Sequence, residues 1–167
     1  MEGANNDMQY RIGIGYDIHK LVRGRKLFIG GLLIDYPRGL LGHSDGDVLL
    51  HAICDCLLGA VSEGDIGMHF PDTEPKFEGI ASTELLIKVY ELIKDKGYAI
   101  NNIDTVIIAE EPKLAAYKKD IQKNIALILG IKEDLISIKA KTNEKLGEIG
   151  KKEAIAAYAT VLLVKGE

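Results

Sequence analysis

The chain has 167 residues, of which 47% are hydrophobic, and a formal net charge of −4. This composition supports a globular core, and the acidic balance argues against a nucleic-acid partner, because phosphate backbones are bound by basic surfaces. No stretch approaches the ~18 apolar residues of a membrane-spanning helix. Cys54 and Cys56 lie two residues apart, so on a helix they cannot share one metal or close a disulfide, which favours a reducing, cytoplasmic setting. We expect a disordered extension over residues 1–10, which lacks signal-peptide features, and one domain over residues 11–167.

The first half of the chain predicts a strand, a hairpin and a helix. Residues 11–18 alternate apolar side chains with glycine and Asp17, which is typical of a strand. Residues 26–36 predict two short strands around Gly30–Gly31. Residues 44–60 predict a helix with a start rich in Ser and Asp.

The second half predicts two more helices and three strands. Residues 82–97 have the apolar spacing of an amphipathic helix, and residues 103–109 form an apolar strand. Pro112 is expected to open a third helix that runs to Gly130. Strands follow over 135–142 and 154–165, although the start of the last segment could equally be helical.

This order of elements predicts an α+β fold, a two-layer sandwich with helices on one face of a mixed four-stranded sheet plus a short hairpin. The opposite face of such a sheet is left without a cover. Either it is polar and solvated, or an oligomer packs sheets together to bury it.

Two short patterns place metal-ligating residue types together. Asp17 and His19 lie two apart and therefore point to the same side of a strand, which alone is also typical of a strand end in solvent. Asp47, His51 and Asp55 recur at every fourth residue and form a polar stripe on an otherwise apolar helix, which is costly unless it faces a wet cleft or a metal.

Asp17, His19 and His51 together make a set of two histidines and one carboxylate. Three protein ligands with an open fourth position are typical of a catalytic zinc site, although manganese and iron accept the same residue types. Asp47 or Asp55 is expected to orient His51 through its other ring nitrogen.

Three loop segments are unusual enough to suggest binding. They cover residues 64–75, 109–115 and 139–147. If Pro112 opens a helix, the free backbone N–H groups there suit a phosphate or a base edge. An ordinary surface loop is the alternative for each segment.

The motifs together resemble a known family. "GYDIH", "GLLGHSDGDVLLHAICDCLLGA", "GDIGMHFPDT" and "TNEKLG" occur in this order, and the resemblance runs from Arg11 to Lys165. The chain resembles the 2-C-methyl-D-erythritol 2,4-cyclodiphosphate synthases of the non-mevalonate isoprenoid pathway. The resemblance implies conversion of 4-diphosphocytidyl-2-C-methyl-D-erythritol 2-phosphate into the cyclic diphosphate with release of CMP. It also implies zinc, a second divalent cation, and a homotrimer with active sites between subunits, in a bacterial cytoplasm rather than a plastid.

The resemblance also implies residue roles. Asp17, His19 and His51 match the zinc ligands, Glu144 matches the ligand of the second cation (magnesium or manganese), and His43 and Thr142 match the residues that stabilise the transition state. The implied substrate-binding set is Asp17, Ile18, His19, His43, Ser44, Asp65, Ile66, Gly67, Phe70, Pro71, Asp72, Thr73, Glu74, Ala109, Glu110, Glu111, Pro112, Lys113, Leu114, Ala115, Lys141, Thr142, Asn143, Glu144 and Lys151.

The chain departs from the family pattern in three places. Lys141 and Asn143 flank Thr142 where the family often has two threonines, and Glu110–Glu111 replaces a pair that is often neutral. Glu148 and Lys151 stand where many members line a cavity on the trimer axis with an aromatic residue and an arginine.

Two other functions use the same residues. A metal-dependent phosphohydrolase would use water as the nucleophile at the same zinc, and a non-catalytic module would only bind the metal. The products formed from the cytidyl substrate distinguish these functions from cyclisation.

Overall fold

In a computed structural model, which describes residues 9–77 and 79–165, a layer of helices covers one face of a five-stranded sheet. The strands are β1 (Tyr10–Arg23), β2 (Leu27–Ile29), β3 (Leu32–Ile34), β4 (Arg38–Leu40), β5 (Tyr98–Ile108), β6 (Ile136–Lys141) and β7 (Ala154–Lys165). The helices are α1 (Val48–Ala60), α2 (Ile66–His69), α3 (Ser82–Asp95), α4 (Lys118–Leu129) and α5 (Gly147–Gly150), with 3₁₀ turns at Pro75–Phe77 and Glu133–Leu135.

The sheet is mixed and has the strand order β4-β1-β7-β5-β6. β7 runs antiparallel to β1 and β5, and β5 runs parallel to β6. β1, β5 and β6 therefore point the same way, and the loops that follow β5 and β6 emerge at the end of the sheet where β1 carries Asp17.

The predicted α+β class is confirmed, but the prediction of four strands is wrong by one. The fifth strand is β4, which pairs with a continuation of β1 at Leu21–Arg23. β4 has only three residues, Arg38–Gly39–Leu40, and so shows no alternation that could reveal it. The predicted hairpin is confirmed as β2–β3, with Gly30 and Gly31 both at positive φ in the turn.

One predicted boundary is wrong. Helix α4 begins at Lys118 and not at Pro112, because the preceding loop buries Leu114 and ties Glu111 to Lys152 and Tyr36. The predicted strand over residues 154–165 is confirmed as β7, and the alternative of a helical start is excluded, because the pairing with β1 is continuous from Ala154 onward.

The structure describes only part of the predicted extension over residues 1–10. Residues 1–8 lie outside the described residues, and Tyr10 already belongs to β1. None of the helices that the structure describes is long and apolar enough to cross a membrane. Cys54 and Cys56 are buried and free.

The two faces of the sheet differ. α1 packs on β1 and β7, α4 packs on β6, and α3 packs on both helices. The face away from the helices exposes a row of large apolar side chains on β1 and β7, which are Tyr10, Ile12, Ile14, Tyr16, Ile18 and Tyr158. Ile12 and Ile14 are 76% and 69% exposed, so this face is not the solvated polar surface that one of the two sequence interpretations required.

Candidate metal and substrate site

Two glycines bring α1 onto β1. A Cβ atom at Gly13 would lie 1.9 Å from the carbonyl oxygen of Cys56, and one at Gly15 would lie 1.9 Å from that of Ala52. Only glycine permits this approach of helix to strand. The close packing places His51, one residue before Ala52, beside Asp17 at the end of the strand.

Asp17, His19 and His51 converge on one point. Oδ2 of Asp17 lies 2.8 Å from Nδ1 of His51 and 2.9 Å from Nε2 of His19, and these two nitrogens are 3.1 Å apart. In a tetrahedral zinc site with bonds of about 2.0–2.1 Å, ligand atoms lie roughly 3.3 Å apart, so the triangle needs to open by only a few tenths of an ångström. Among the described residues this is the one group of three such side chains that could hold a metal ion.

The electrostatics of the triad couple its carboxylate to its imidazoles. Burial would raise the pKa of the Asp17 carboxyl, but the hydrogen bonds and charges of His19 and His51 outweigh burial and hold it below its ordinary value. Burial would lower the pKa of the His51 imidazole, but the Asp17 carboxylate outweighs burial and raises it. Both shifts come from the contact of Asp17 with the imidazoles, which stabilises the charged form of each partner.

The prediction that Asp47 or Asp55 orients His51 is wrong. Nε2 of His51 instead lies 2.9 Å from Oγ of Ser82 and 3.0 Å from Oγ of Ser44.

Both carboxylates have other partners because each lies beside a free backbone N–H. Asp47 is the N-cap of α1, where it accepts from Leu50 N, and it also accepts from the backbone N–H groups of Gly30 and Gly31 in the β2–β3 turn. Asp55 accepts from Ile66 N at 2.8 Å and anchors the start of α2. Both aspartates therefore connect elements and do not contact the imidazole.

A cavity of about 160 Å³ opens beside the triad. Its lining combines polar and apolar side chains, which are His19, His43, Ser44, His51, Ile66, Gly67, Phe70, Asp72, Phe77, Ile80 and Leu85. His43 lies 3.4 Å from Asp72, and both are exposed at the rim. The cavity therefore joins the metal ligands to much of the segment over residues 64–75.

Not every predicted residue of that segment lines the cavity. Asp65 is the N-cap of α2 and accepts from Met68 N. Pro71, Thr73 and Glu74 follow in the chain but are not among the lining residues. Phe77, Ile80 and Leu85 were not predicted, because an apolar residue that lines a cavity has the same sequence pattern as one that fills the core.

A second cavity lies between the loops that follow β5 and β6. It is lined by Ala109, Pro112, Lys113, Leu114, Ala115, Ala140, Lys141 and Thr142. Glu110 and Glu111 are outside it, since Glu110 accepts from Lys145 N and Glu111 pairs with Lys152. Next to this cavity, Oγ1 of Thr142 donates to Glu144 over 2.8 Å, and Asn143 donates to the carbonyl oxygen of Leu146.

The two cavities are separated in one chain. The sheet register aligns Asp17, Ala157, Ile107 and Ala140 in one row across β1, β7, β5 and β6. The two ends of this row are three strand spacings apart, a distance of about 14 Å. Thr142 follows Ala140 by two residues, so the second cavity lies at the same end of the sheet as the triad but too far away to share a metal-bound phosphate with it.

Ile18 and Lys151, two further predicted substrate residues, also do not line either of these cavities. Ile18 is on the exposed sheet face and lines a third cavity with His19, Lys20 and Glu148. Lys151 pairs with Glu148 at 3.0 Å just after α5, and both side chains are exposed.

Comparison with known proteins relates this arrangement to one family. The chain matches the YgbB family over residues 10–164. It is 58% identical over 153 residues to 2-C-methyl-D-erythritol 2,4-cyclodiphosphate synthase from Geotalea daltonii, an alignment that covers 92% of this chain and 90% of that protein.

Solved structures show the same fold. The bifunctional IspDF from Campylobacter jejuni superposes with a TM-score of 0.92 at 41% identity, over 96% of this chain and 43% of that one. IspF of Plasmodium falciparum in complex with CDP superposes with a TM-score of 0.83 at 42% identity, over 95% and 97% of the two chains. The chain therefore belongs to the YgbB family, with the 2-C-methyl-D-erythritol 2,4-cyclodiphosphate synthases among its relatives.

Proposed function

We propose that this protein converts 4-diphosphocytidyl-2-C-methyl-D-erythritol 2-phosphate into 2-C-methyl-D-erythritol 2,4-cyclodiphosphate and CMP. An oxygen of the 2-phosphate forms a bond to the β-phosphorus, and the bond from that phosphorus to the oxygen it shares with the α-phosphorus breaks. The observation that carries this proposal is the Asp17–His19–His51 triad, which opens into a cavity in a chain of this family.

The metal ligands follow from the donor set. Asp17, His19 and His51 would hold zinc, and Glu144 would hold magnesium or manganese as the second cation. When bound, these cations would neutralise charge on the reacting phosphates. The nucleophile is already an anion, so the chain needs to supply alignment and charge more than a strong base. This fits an acidic protein that acts on a polyanionic substrate.

The remaining residues would bind and orient the substrate. His43, at the rim of the first cavity, and Thr142, beside Glu144, would donate hydrogen bonds to phosphate oxygens as charge develops. The segment from Asp65 to Glu74, with Phe70 and Ile66 in the cavity wall, would hold the methylerythritol. Residues 109–115, with the second cavity, would hold the cytidine. A cytidine nucleotide as the ligand is supported by the CDP complex of the Plasmodium falciparum relative.

A homotrimer would complete the site. The two cations would act on one diphosphate and therefore lie within a few ångströms of each other, as in other two-metal sites, whose ions are about 3.5–4 Å apart. In one chain, however, the two halves of the site are three strand spacings apart. The exposed apolar face of β1 and β7 supports assembly through the sheet, because a face of this kind is buried in a stable oligomer. Three copies is the number that the family resemblance implies, and a bacterial cytoplasmic location belongs to the same proposal.

The identity of the product tests the reaction. The purified protein is incubated with the cytidyl substrate, zinc and magnesium, and the products are resolved by phosphorus NMR. We expect the two phosphorus signals of a cyclic diphosphate together with CMP. A linear phosphate product would indicate a phosphohydrolase, and unchanged substrate would indicate a binding module.

Substitution of Glu144 tests the second cation. We expect Glu144→Ala to lower kcat by at least about 100-fold, since it removes a charge contact to the reacting groups. Glu133→Ala is the matched control, because Glu133 is an exposed carboxylate that pairs with Lys119 at 3.2 Å. Equal turnover in both variants would contradict the two-metal proposal.

A further inference from the structure

The unpredicted neighbours of His51 form a continuous chain of hydrogen bonds. Oγ of Ser82 lies 2.9 Å from Nε2 of His51 and makes a short hydrogen bond with Oδ1 of Asp45. Ser82 is fully buried, at the first residue of α3, and its backbone N–H donates to Oδ2 of Asp45. Asp45 precedes α1, so this chain connects three separate parts of the sequence.

The direction of each hydrogen bond follows from the partners. An ionised carboxylate can only accept, so the hydroxyl proton of Ser82 points at Asp45. The oxygen of Ser82 then directs its lone pairs at the imidazole of His51. An Nε2 without a proton, at 2.9 Å, would direct its own lone pair at the same oxygen, and the two would repel each other. The contact with Ser82 is favourable only when Nε2 carries a proton that it donates to Ser82. The hydroxyl proton of Ser44 is then free to point at Oγ of Ser82, 3.3 Å away.

This proton fixes the tautomer of His51. A neutral imidazole with its proton on Nε2 has its free lone pair on Nδ1. Nδ1 is the nitrogen that lies 2.8 Å from Asp17 Oδ2 and 3.1 Å from Nε2 of His19, so a cation held by these three atoms would take the place of the proton that Nδ1 would otherwise share with Asp17. Ser44 is compatible with this pattern, since its oxygen accepts from Gly46 N and can also accept from Nε2.

We propose that Asp45 and Ser82 are positioning residues that act through His51, holding its imidazole with the proton on Nε2 and Nδ1 free to bind the metal. The inference rests on the metal binding in the proposed function. A carboxylate usually orients a metal-bound histidine by a direct hydrogen bond to its ring. Here Asp45 would do so through Ser82, which lies between the carboxylate and the ring.

An amide cannot take the place of Asp45. Oδ1 accepts from Ser82 Oγ and from Asp47 N, and Oδ2 accepts from Ser82 N. In Asp45→Asn, one of these positions becomes an NH₂ group that faces at least one N–H donor. With the NH₂ group in place of Oδ1, it would donate to Ser82 Oγ, the serine hydroxyl would turn toward Nε2 of His51, and the tautomer with the proton on Nδ1 would gain stability. With the NH₂ group in place of Oδ2, it would face Ser82 N and push the serine out of its position beside the ring.

Zinc affinity measured by chelator competition tests the inference without any measurement of turnover. We expect Ser82→Ala and Asp45→Asn each to weaken zinc binding by about 10- to 100-fold. The cobalt-substituted protein should show altered d–d absorption in both variants, because the imidazole loses its fixed orientation. Thr105→Val is the matched control, since Thr105 is a buried hydroxyl that donates to Ser137 O in the sheet, away from the triad.

Each outcome has a defined meaning. If the wild-type protein binds zinc and either variant, once folded, keeps its affinity within about threefold, the inference is overturned and the metal site stands. If the wild-type protein binds no zinc, the proposed metal site fails and the inference fails with it. Asp45 is partly exposed and can be replaced with little risk to the core, so Asp45→Asn decides alone if Ser82→Ala does not fold. An equal loss of affinity in Thr105→Val would show a general effect of destabilisation and would also overturn the inference.

Discussion

At the residue scale, two of the three proposed metal ligands are held by contacts that they make away from the metal position. The Oδ1 atom of Asp17 accepts from Ile18 N at 2.9 Å, which leaves Oδ2 directed at the two histidines. His51 is held from the opposite side of its ring by Ser44 and Ser82. Because these contacts use atoms other than the proposed ligand atoms, they fix the side chains without competing for the metal.

Removal of one ligand tests this arrangement. We expect His51→Ala to weaken zinc binding by more than the roughly 100-fold that follows loss of an outer hydrogen-bond partner, because two ligands remain. Bound zinc per chain is measured after dialysis by atomic absorption. His69→Ala is the control, since the ring of His69 faces the carbonyl oxygen of Glu63 and not the triad. Full zinc occupancy in His51→Ala would rule out the ligand assignment.

At the element scale, the distance between β1 and α1 determines whether the ligands can meet. The helix contributes His51 and the strand contributes Asp17 and His19, so any increase in their separation moves one nitrogen away from the other two ligand atoms. Gly13 and Gly15 set this distance, because the backbone of α1 occupies the space where their side chains would be. The glycines are therefore part of the site although neither contacts a ligand atom.

Substitution of Gly15 should affect stability and metal binding together. A Cβ atom at Gly15 would overlap the carbonyl oxygen of Ala52, which is backbone and cannot turn away. We expect Gly15→Ala to lower the free energy of unfolding by about 3 kcal/mol or more and to weaken zinc binding in the protein that folds. Urea denaturation and chelator competition measure the two effects.

Gly59→Ala, in the helix α1 that packs on Gly15, is the matched control. The closest neighbour of a Cβ atom at Gly59 is Ile14 O at 3.9 Å, an ordinary contact, so we expect a change within about 1 kcal/mol. If Gly15→Ala were as stable as Gly59→Ala, the close approach of strand and helix would not be limiting.

The sequence predicts a helix or strand well where its bounds depend on the local residue pattern. It predicts them poorly where the bounds depend on contacts with residues distant in the chain. Alternation in β1 and the glycine pair of the β2–β3 hairpin are local, and both predictions are confirmed. The start of α4 depends on contacts of Glu111 with residues more than 40 positions away, so a proline rule alone placed it wrongly. The triad could be proposed because strand and helix spacing align its members, whereas Ser82 lies 31 residues from His51 and its only local signal was that of a helix start.

At the scale of the whole molecule, one chain presents two separate cavities, which we propose are the halves of one site, and one uncovered apolar face. Tyr16 and Tyr158 pair across β1 and β7 with ring centroids 4.6 Å apart, and the isoleucines of β1 continue this surface. Toward β5 and β6 the same face carries the ion pair of Asp104 and Lys139. The apolar part is therefore confined to the two strands nearest the triad, which favours an interface that brings the second cavity of a neighbouring copy to the first.

A charge on this face should prevent assembly. If the protein forms the proposed trimer, we expect Ile14→Glu to convert it into folded monomers without activity, because three glutamates would meet in an apolar interface. Sedimentation velocity measures the mass, and circular dichroism measures folding. Leu127→Glu is the control, since Leu127 is 81% exposed on α4, on the opposite layer, and should change neither mass nor activity. An Ile14→Glu protein of unchanged mass would exclude this face as the interface.

Mixing two inactive variants tests whether neighbouring subunits share each site. His51→Ala lacks the metal half and Glu144→Ala lacks the second half, so neither has a complete site alone. In a randomly mixed trimer population, about three quarters of the trimers contain both variants, and one site in three of those joins two intact halves. After unfolding and refolding of an equimolar mixture, activity should therefore return to about a quarter of the wild-type value.

The control mixture separates shared sites from other causes of recovery. His51→Ala and His19→Ala both damage the metal half, so no pairing of their subunits creates an intact site and no activity should return. Native mass spectrometry of the refolded mixture establishes that the subunits have exchanged. If mixed trimers of His51→Ala and Glu144→Ala form and remain inactive, each site must be built within one chain, in conflict with the separation of Asp17 and Thr142 across three strand spacings.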